Sequence, residues 1–211
     1  FCPGARVHLV PNVGGFVGGD HVTALLATEE RWRAPGTSLV MDIGTNTEIS
    51  LIHGGEIRSA SCPSGPALEG GHISCGMRAA DGAIERVGVA AGRLVVHTIG
   101  QRDPVGLCGS GVLDALAALR RLGIVSARGR IAAEHPDVEQ TDGLRSALLA
   151  PGVRITQHDE QAVQLAKAAI RAGVELLLCD HGIDEQRIDR FIIAGAFGAY
   201  IDIASGIDIG L

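Results

Sequence analysis

One short segment constrains this chain more than any other: Val40-Met41-Asp42-Ile43-Gly44-Thr45-Asn46-Thr47-Glu48-Ile49-Ser50-Leu51. An apolar strand delivers an aspartate and a glycine, passes through hydroxyl and amide side chains, and resumes strand character at once. A hairpin that tight, with glycine at the bend, lets backbone N–H groups approach an anion closely. Asp42 suits a hydrated Mg²⁺, and Thr45 and Thr47 suit hydroxyl donation to phosphate. An ordinary hairpin whose Asp and Asn merely serve the turn has the same pattern. A second apolar-then-glycine element, Phe191-Ile192-Ile193-Ala194-Gly195-Ala196-Phe197-Gly198, favours the functional reading.

With 46% hydrophobic and 20% charged residues, the 211-residue chain can bury a real core. Aromatics are only 3%, so that core is expected from Ala, Val, Ile and Leu. A net charge of -6 argues against a nucleic-acid binder, because no Lys/Arg stripe is available to neutralise a phosphate backbone. No apolar run approaches the ~18 residues needed to span a membrane. The start, Phe1-Cys2-Pro3-Gly4, has neither an initiator Met nor a signal-peptide layout, so the chain reads as a piece of something longer. The five cysteines (Cys2, Cys62, Cys75, Cys108, Cys179) form no C-x-x-C pair, which leaves reduced thiols in a cytoplasmic protein.

Along the chain, Val7–Val13 reads as a short strand and Asp20 as the N-cap of a helix through His21–Ala27. Strands follow at Ser38–Ile43, Thr47–His53 and, after Gly54-Gly55, Glu56–Cys62. Breakers mark Cys62–Gly71 as loop, and Gly82–Val89 and Arg93–Ile99 read as two more strands. Gly106-Leu107-Cys108-Gly109-Ser110-Gly111 opens a helix over Val112–Leu122. Ser126–Arg154 is the least periodic stretch and is expected to wrap the surface. Thr156–Asp159 caps a long helix to about Cys179, with Val163, Ala166, Ile170, Val174, Leu177 and Leu178 as its buried stripe. Asp189–Ala194 is the last strand. The expected fold is α/β, a mixed β-sheet flanked by helices.

Several chemistries are disfavoured. Neither a P-loop nor a strand-linked G-x-G-x-x-G is present. Gly106–Gly111 leaves free N–H groups at a helix start, which suits a phosphate or a close helix–strand packing turn equally well. Ser64-Gly65-Pro66 lacks the second glycine of a nucleophile elbow. The eight histidines show no metal-ligand spacing and read as surface or capping residues, and His72 with Cys75 makes one isolated pair. Asp42 and Asp20 are the strongest candidate carboxylates, since each stands beside glycines at the end of a strand or the start of a helix.

Taken together, the Asp42-Ile43-Gly44-Thr45 hairpin and Ala194-Gly195-Ala196-Phe197-Gly198 resemble the second phosphate element and the adenosine element of the actin, heat-shock-chaperone and sugar-kinase ATPase superfamily. More narrowly, the chain looks like the C-terminal domain of the reductive activators of corrinoid proteins. The supporting blocks include Gly15-Phe16-Val17-Gly18-Gly19-Asp20, Ser64-Gly65-Pro66-Ala67-Leu68-Glu69-Gly70, Cys75-Gly76-Met77-Arg78-Ala79 and Gln164–Gly173, which run in order over almost the whole chain.

The resemblance implies a ribonuclease-H-like, actin-type ATPase lobe over residues 1–211. It implies ATP and Mg, with Asp42 as the catalytic residue at the hydrated Mg²⁺ or the attacking water. It implies phosphate contacts from Gly44, Thr45, Asn46 and Thr47, and flat backbone against adenosine at Gly195, Ala196 and Gly198. Gly109, Ser110 and Gly111 are assigned to the same pocket. The implied partner is a corrinoid protein whose cobalt is restored to Co(I), and a homodimer is admitted. The 2Fe-2S cluster of such activators belongs to an N-terminal ferredoxin-like domain, which is absent here along with the first ATPase lobe. The isolated chain is therefore expected to be inactive. Rival readings are a non-catalytic docking domain and a small-molecule kinase or ATP-dependent amidohydrolase of the same superfamily.

Overall fold

The computed structural model describes residues 3–211, so Phe1 and Cys2 lie outside the described residues. Its organising unit is a four-stranded sheet. Strands β1 (Thr37–Ile43), β2 (Thr47–His53) and β3 (Glu56–Cys62) form an antiparallel meander, and β10 (Ile188–Ala194) lies parallel to β1 at the other edge. The β2–β3 turn uses Gly54 and Gly55 at φ 59° and 85°, the double positive φ that a two-residue hairpin turn demands.

β1 is covered on both faces, which accounts for the consecutive apolar residues Leu39-Val40-Met41. Leu39, Met41 and Ile43 join Ile49 and Leu51 in the main core. That face is covered by α4 (Gln157–His181), whose Val163, Ala166, Ile170, Val174, Leu177 and Leu178 are all buried as the spacing predicts. At Gly173 the helix lies so close to β3 that an added Cβ would strike the Cys62 sulfur. Thr156 and Asp159 form a capping box at the N-terminus of α4, and Gly182 ends it in the left-handed conformation. On the opposite face Val40, Ile52 and Ile192 pack against Leu25 and Trp32, from α1 (Gly19–Ala27) and α2 (Glu29–Trp32).

Two three-stranded sheets complete the fold. β4 (Ala83–Ala90) pairs with β5 (Arg93–Thr98) and with the short β6 (Gly106–Leu107), and carries α3 (Gly109–Arg121). β7 (Val138–Thr141), β8 (Leu144–Ala150) and β9 (Val153–Thr156) form an antiparallel meander. After β10, the short α5 (Gly195–Gly198) leads to α6 (Ile203–Ile209), which packs on α3.

Three expectations need correction. Val7–Val13 forms no strand, because no ladder partner lies beside it. Ser126–Arg154 is no surface wrap: it supplies β7 and β8, whose hairpin turns at Asp142-Gly143. The N-cap of α1 is Gly18, with Asp20 inside the first turn. No helix among the described residues is long and apolar enough to cross a membrane.

Candidate functional site

The parallel pairing of β1 and β10 sets Asp42 beside Ala194. Both glycine elements therefore emerge at the carboxyl ends of adjacent parallel strands, the side on which α/β sheets bind ligands. Their contact is direct. Gly195 has φ +79°, and a Cβ added there would land on Asp42 Oδ1. Glycine is required twice over, by the backbone conformation and by the carboxylate.

The β1–β2 turn is held from beneath. Gly44 N donates to Asn46 O (3.1 Å) and Gly65 N donates to Thr45 O (2.8 Å). Buried Ser64 donates to Gly44 O (3.1 Å) and shares a hydrogen bond of 2.8 Å with the Thr47 hydroxyl. Thr45 Oγ1 donates to Glu69 Oε2 (2.8 Å). Glu69 belongs to the 3₁₀ turn Pro66–Glu69, which abuts the start of α3. A Cβ on Gly109 would lie 2.7 Å from Phe197 Cε2 and 3.1 Å from Glu69 Cα. The hairpin, the Ser64–Glu69 loop, the first turn of α3 and α5 thus converge.

Two carboxylates stand opposite each other beside the turn, and a third, Asp20, is near enough for its charge to act on both. Asp42 and Glu48 are direct cross-strand partners on one face of the sheet, and Asp20 of α1 lies over that face. Burial, and secondarily Asp20, raise the Asp42 carboxyl above the ordinary aspartate range. Glu48 is also raised, first by burial and then by Asp20 and Asp42, against the opposing hydrogen bond from Ser61 (3.0 Å). α1 is fixed there by His21, whose ring is fully buried and whose Nε2 hydrogen-bonds Ser50 Oγ at 2.7 Å. Ser50 continues to Ser59 at 2.7 Å. His21 is therefore no surface residue, and burial lowers its pKa, which keeps it neutral.

Among the described residues no three His, Cys, Asp or Glu side chains stand close enough to share one metal ion. A hydrated Mg²⁺ keeps several of its waters and so does not need a cluster of direct ligands.

The sequence-derived candidates divide into two groups. Thr45, Asn46, Gly195 and Ala196 are exposed at the strand ends, with Asp42 and Gly44 half-buried beside them. Thr47 is fully buried, with its hydroxyl engaged by Ser64, so it braces the turn from below. Ser110 Oγ donates to Glu85 O (3.0 Å), and a Cβ on Gly111 would overlap Ile84 O, so these two seat α3 on β4. Gly198 packs on the end of β10, where a Cβ would lie 2.7 Å from Ile193 Cγ2. Glu48, Glu69, Ser64 and His21 were not singled out for this site. Glu48 was accessible from strand alternation, since it opposes Asp42 in the simplest register of the hairpin. The others depend on loop packing.

Residues 36–211 match the family model described as the C-terminal domain of RACo, the ASKHA domain. The chain belongs to this family. The RACo C-terminal domain has the actin-like ASKHA fold, and the mixed sheets flanked by helices seen here are an instance of it. The corrinoid activation enzyme RamQ of Eubacterium limosum is 38% identical over 226 aligned residues, covering 99% of this chain and 38% of that protein. The [Co(II) methylated amine-specific corrinoid protein] reductase of Methanosarcina barkeri is 30% identical over 214 residues, covering 91% of this chain and 37% of that protein. A solved reductive activator for corrinoid, iron-sulfur protein superposes with a TM-score of 0.84 at 37% identity, covering 95% of this chain and 34% of that one. The chain thus spans less than two fifths of the length of these relatives.

Proposed function

We propose that this RACo-type domain is the nucleotide-binding lobe of an ATP-dependent activator that restores Co(I) in a corrinoid protein. The seating of Gly195 against Asp42 carries the reading, because it joins the phosphate-type hairpin to the adenosine-type turn. Asp42, with Asp20 across from it, would hold the water shell of Mg²⁺. The metal would offset charge on the phosphates, the main requirement of phosphoryl transfer. Backbone N–H groups of the Gly44–Asn46 turn would meet phosphate, with Thr45 exchanging its bond to Glu69. Gly195 and Ala196 would offer flat backbone to the nucleoside, with Phe197 and Gly109 behind them. Hydrolysis would change the seating of this lobe against the rest of the activator, and a 2Fe-2S cluster carried elsewhere in it would supply the electron.

We extend the reading to a cytoplasmic homodimer. The four described cysteines, all free thiols, suit that compartment.

Calorimetric titration of the chain with Mg-ATP and with a non-hydrolysable analogue tests the proposal. The expected result is saturable binding that disappears in Gly195→Asp. Absence of binding at millimolar ligand overturns the assignment of a nucleotide pocket to this lobe and favours a docking role.

A further inference from the structure

A second built surface lies at the start of α4 and shares no residue with the Asp42–Gly195 site. The loop Ser126–Arg130 folds back on itself. Ser126 N donates to Arg130 O (2.9 Å), Gly129 N donates to Ser126 O (2.9 Å), and Arg130 N donates to Ser126 Oγ (3.0 Å). Gln157 ties the loop to the helix: its Nε2 donates to Gly129 O (2.7 Å), and its Oε1 accepts from Ile131 N (2.9 Å). Gly129 (φ +76°) lies directly on the buried Glu160 carboxylate, which leaves no room for a side chain. The loop is therefore rigid, and Arg128 and Arg130 project from it as exposed side chains.

With Arg145 and His158 they line a cleft of 630 Å³ whose wall also carries Gln161 and Gln164. Arg145 is itself fixed by donating to Ile131 O (3.0 Å). Among the described residues, none of the three arginines forms an ion pair. In a chain of net charge -6, three uncompensated guanidiniums around one rigid cleft form a local field of the opposite sign to the whole.

We propose that this cleft docks a carboxylate-rich stretch of polypeptide from a partner protein. Guanidinium forks match carboxylates bidentately. The amide side chains beside the arginines decide between anions. Gln161, exposed on the cleft wall, and Gln164, which donates to Glu160 at 2.7 Å and keeps its amide oxygen, offer amide groups that complement peptide N–H and C=O as no polyphosphate does. The inference goes beyond the nucleotide reading and stands independently of it.

The test uses the full chain and a fluorescein-labelled hexaglutamate peptide, followed by anisotropy at low and raised salt. Saturable binding is expected, weakened by salt as exposed charge pairs are. It should fall by about tenfold in Arg128→Glu/Arg130→Glu and by less in Arg128→Gln/Arg130→Gln. Both variants should keep the wild-type melting temperature, since neither side chain is buried; if the double reversal fails to fold, the Gln pair decides. Unlabelled hexaglutamate should displace the probe, whereas pyrophosphate and a single-stranded oligonucleotide at equal charge should not. Absence of saturable binding, indifference to the substitutions, or displacement by either phosphate competitor overturns the proposal.

Discussion

Gly195→Ala separates the two constraints on that position. An L-residue at φ +79° costs about 1–2 kcal/mol from the left-handed backbone alone. The new Cβ also falls on Asp42 Oδ1, so the carboxylate must leave its rotamer or the start of α5 must shift, at a further cost of about 1–2 kcal/mol. The sum, about 2–4 kcal/mol, corresponds to a fall in melting temperature of about 4–16 °C for a domain of this size. In an Asp42→Ala background only the backbone part remains. Urea unfolding of the wild type, the two single variants and the double variant should therefore show a coupling of about 1–2 kcal/mol. The contact between the two glycine elements is refuted if the substitutions prove additive within about 0.5 kcal/mol. An unchanged melting temperature in Gly195→Ala would also remove the backbone argument.

Asp42→Asn should stabilise the protein at neutral pH. The folded pKa of Asp42 is raised, so the folded state binds the extra proton, and the group's penalty is absent below the unfolded carboxylate pKa and grows as pH rises through the folded one. The gain over wild type should thus be present at pH 7 and vanish toward about pH 4, measured by denaturant midpoints; a gain independent of pH would exclude Asp42 as its source. Gly111→Ala should cost about 3 kcal/mol through overlap with the Ile84 carbonyl, yet leave Mg-ATP affinity per folded molecule unchanged. Lost affinity in folded Gly111→Ala would return that glycine to the pocket.

The meander β1–β3 and the helix α4 were legible because their periods are strong and their ends carry turn or capping chemistry. Thr156-x-x-Asp159 and Gly182 bracket α4 in the sequence as they do in the structure. β7 and β8 were harder, since β7 is largely polar and exposed and shows almost no alternation. The signals were the turns, Asp142-Gly143 and Pro151-Gly152, which stand at both ends of β8. Val7–Val13 erred the other way: apolar residues without a pairing strand leave backbone groups to water. At the site, the sequence could supply Asp42 and Gly195 but not their contact, which requires the parallel register of β10 on β1. It could not separate Gly109, which faces Phe197, from Ser110 and Gly111, which face β4, because that depends on the rotation of the first turn of α3. His21 looked exposed beside Asp20. It is buried because Ser50 and Ser59 form a polar patch on the sheet that α1 must cover with a hydrogen-bonding group.

The arrangement of acids argues against a purely structural role for the hairpin. Opposed charges across an antiparallel pair contribute a few tenths to about 1 kcal/mol, and like charges directly opposite are unfavourable. Asp42 faces Glu48 in register, Asp20 lies over both, and the charges acting on Asp42 and Glu48 are themselves carboxylates. A lysine at position 48 would relieve that repulsion without disturbing a single backbone bond. Elsewhere charges on a sheet face are complementary, as where Arg154 of β9 reaches across β8 to Glu139 of β7 at 3.0 Å. The departure is confined to the strand ends where the two glycine elements meet. A local rule broken there, with stability drawn from α4 and the doubly covered β1, supports the cation role proposed for Asp42.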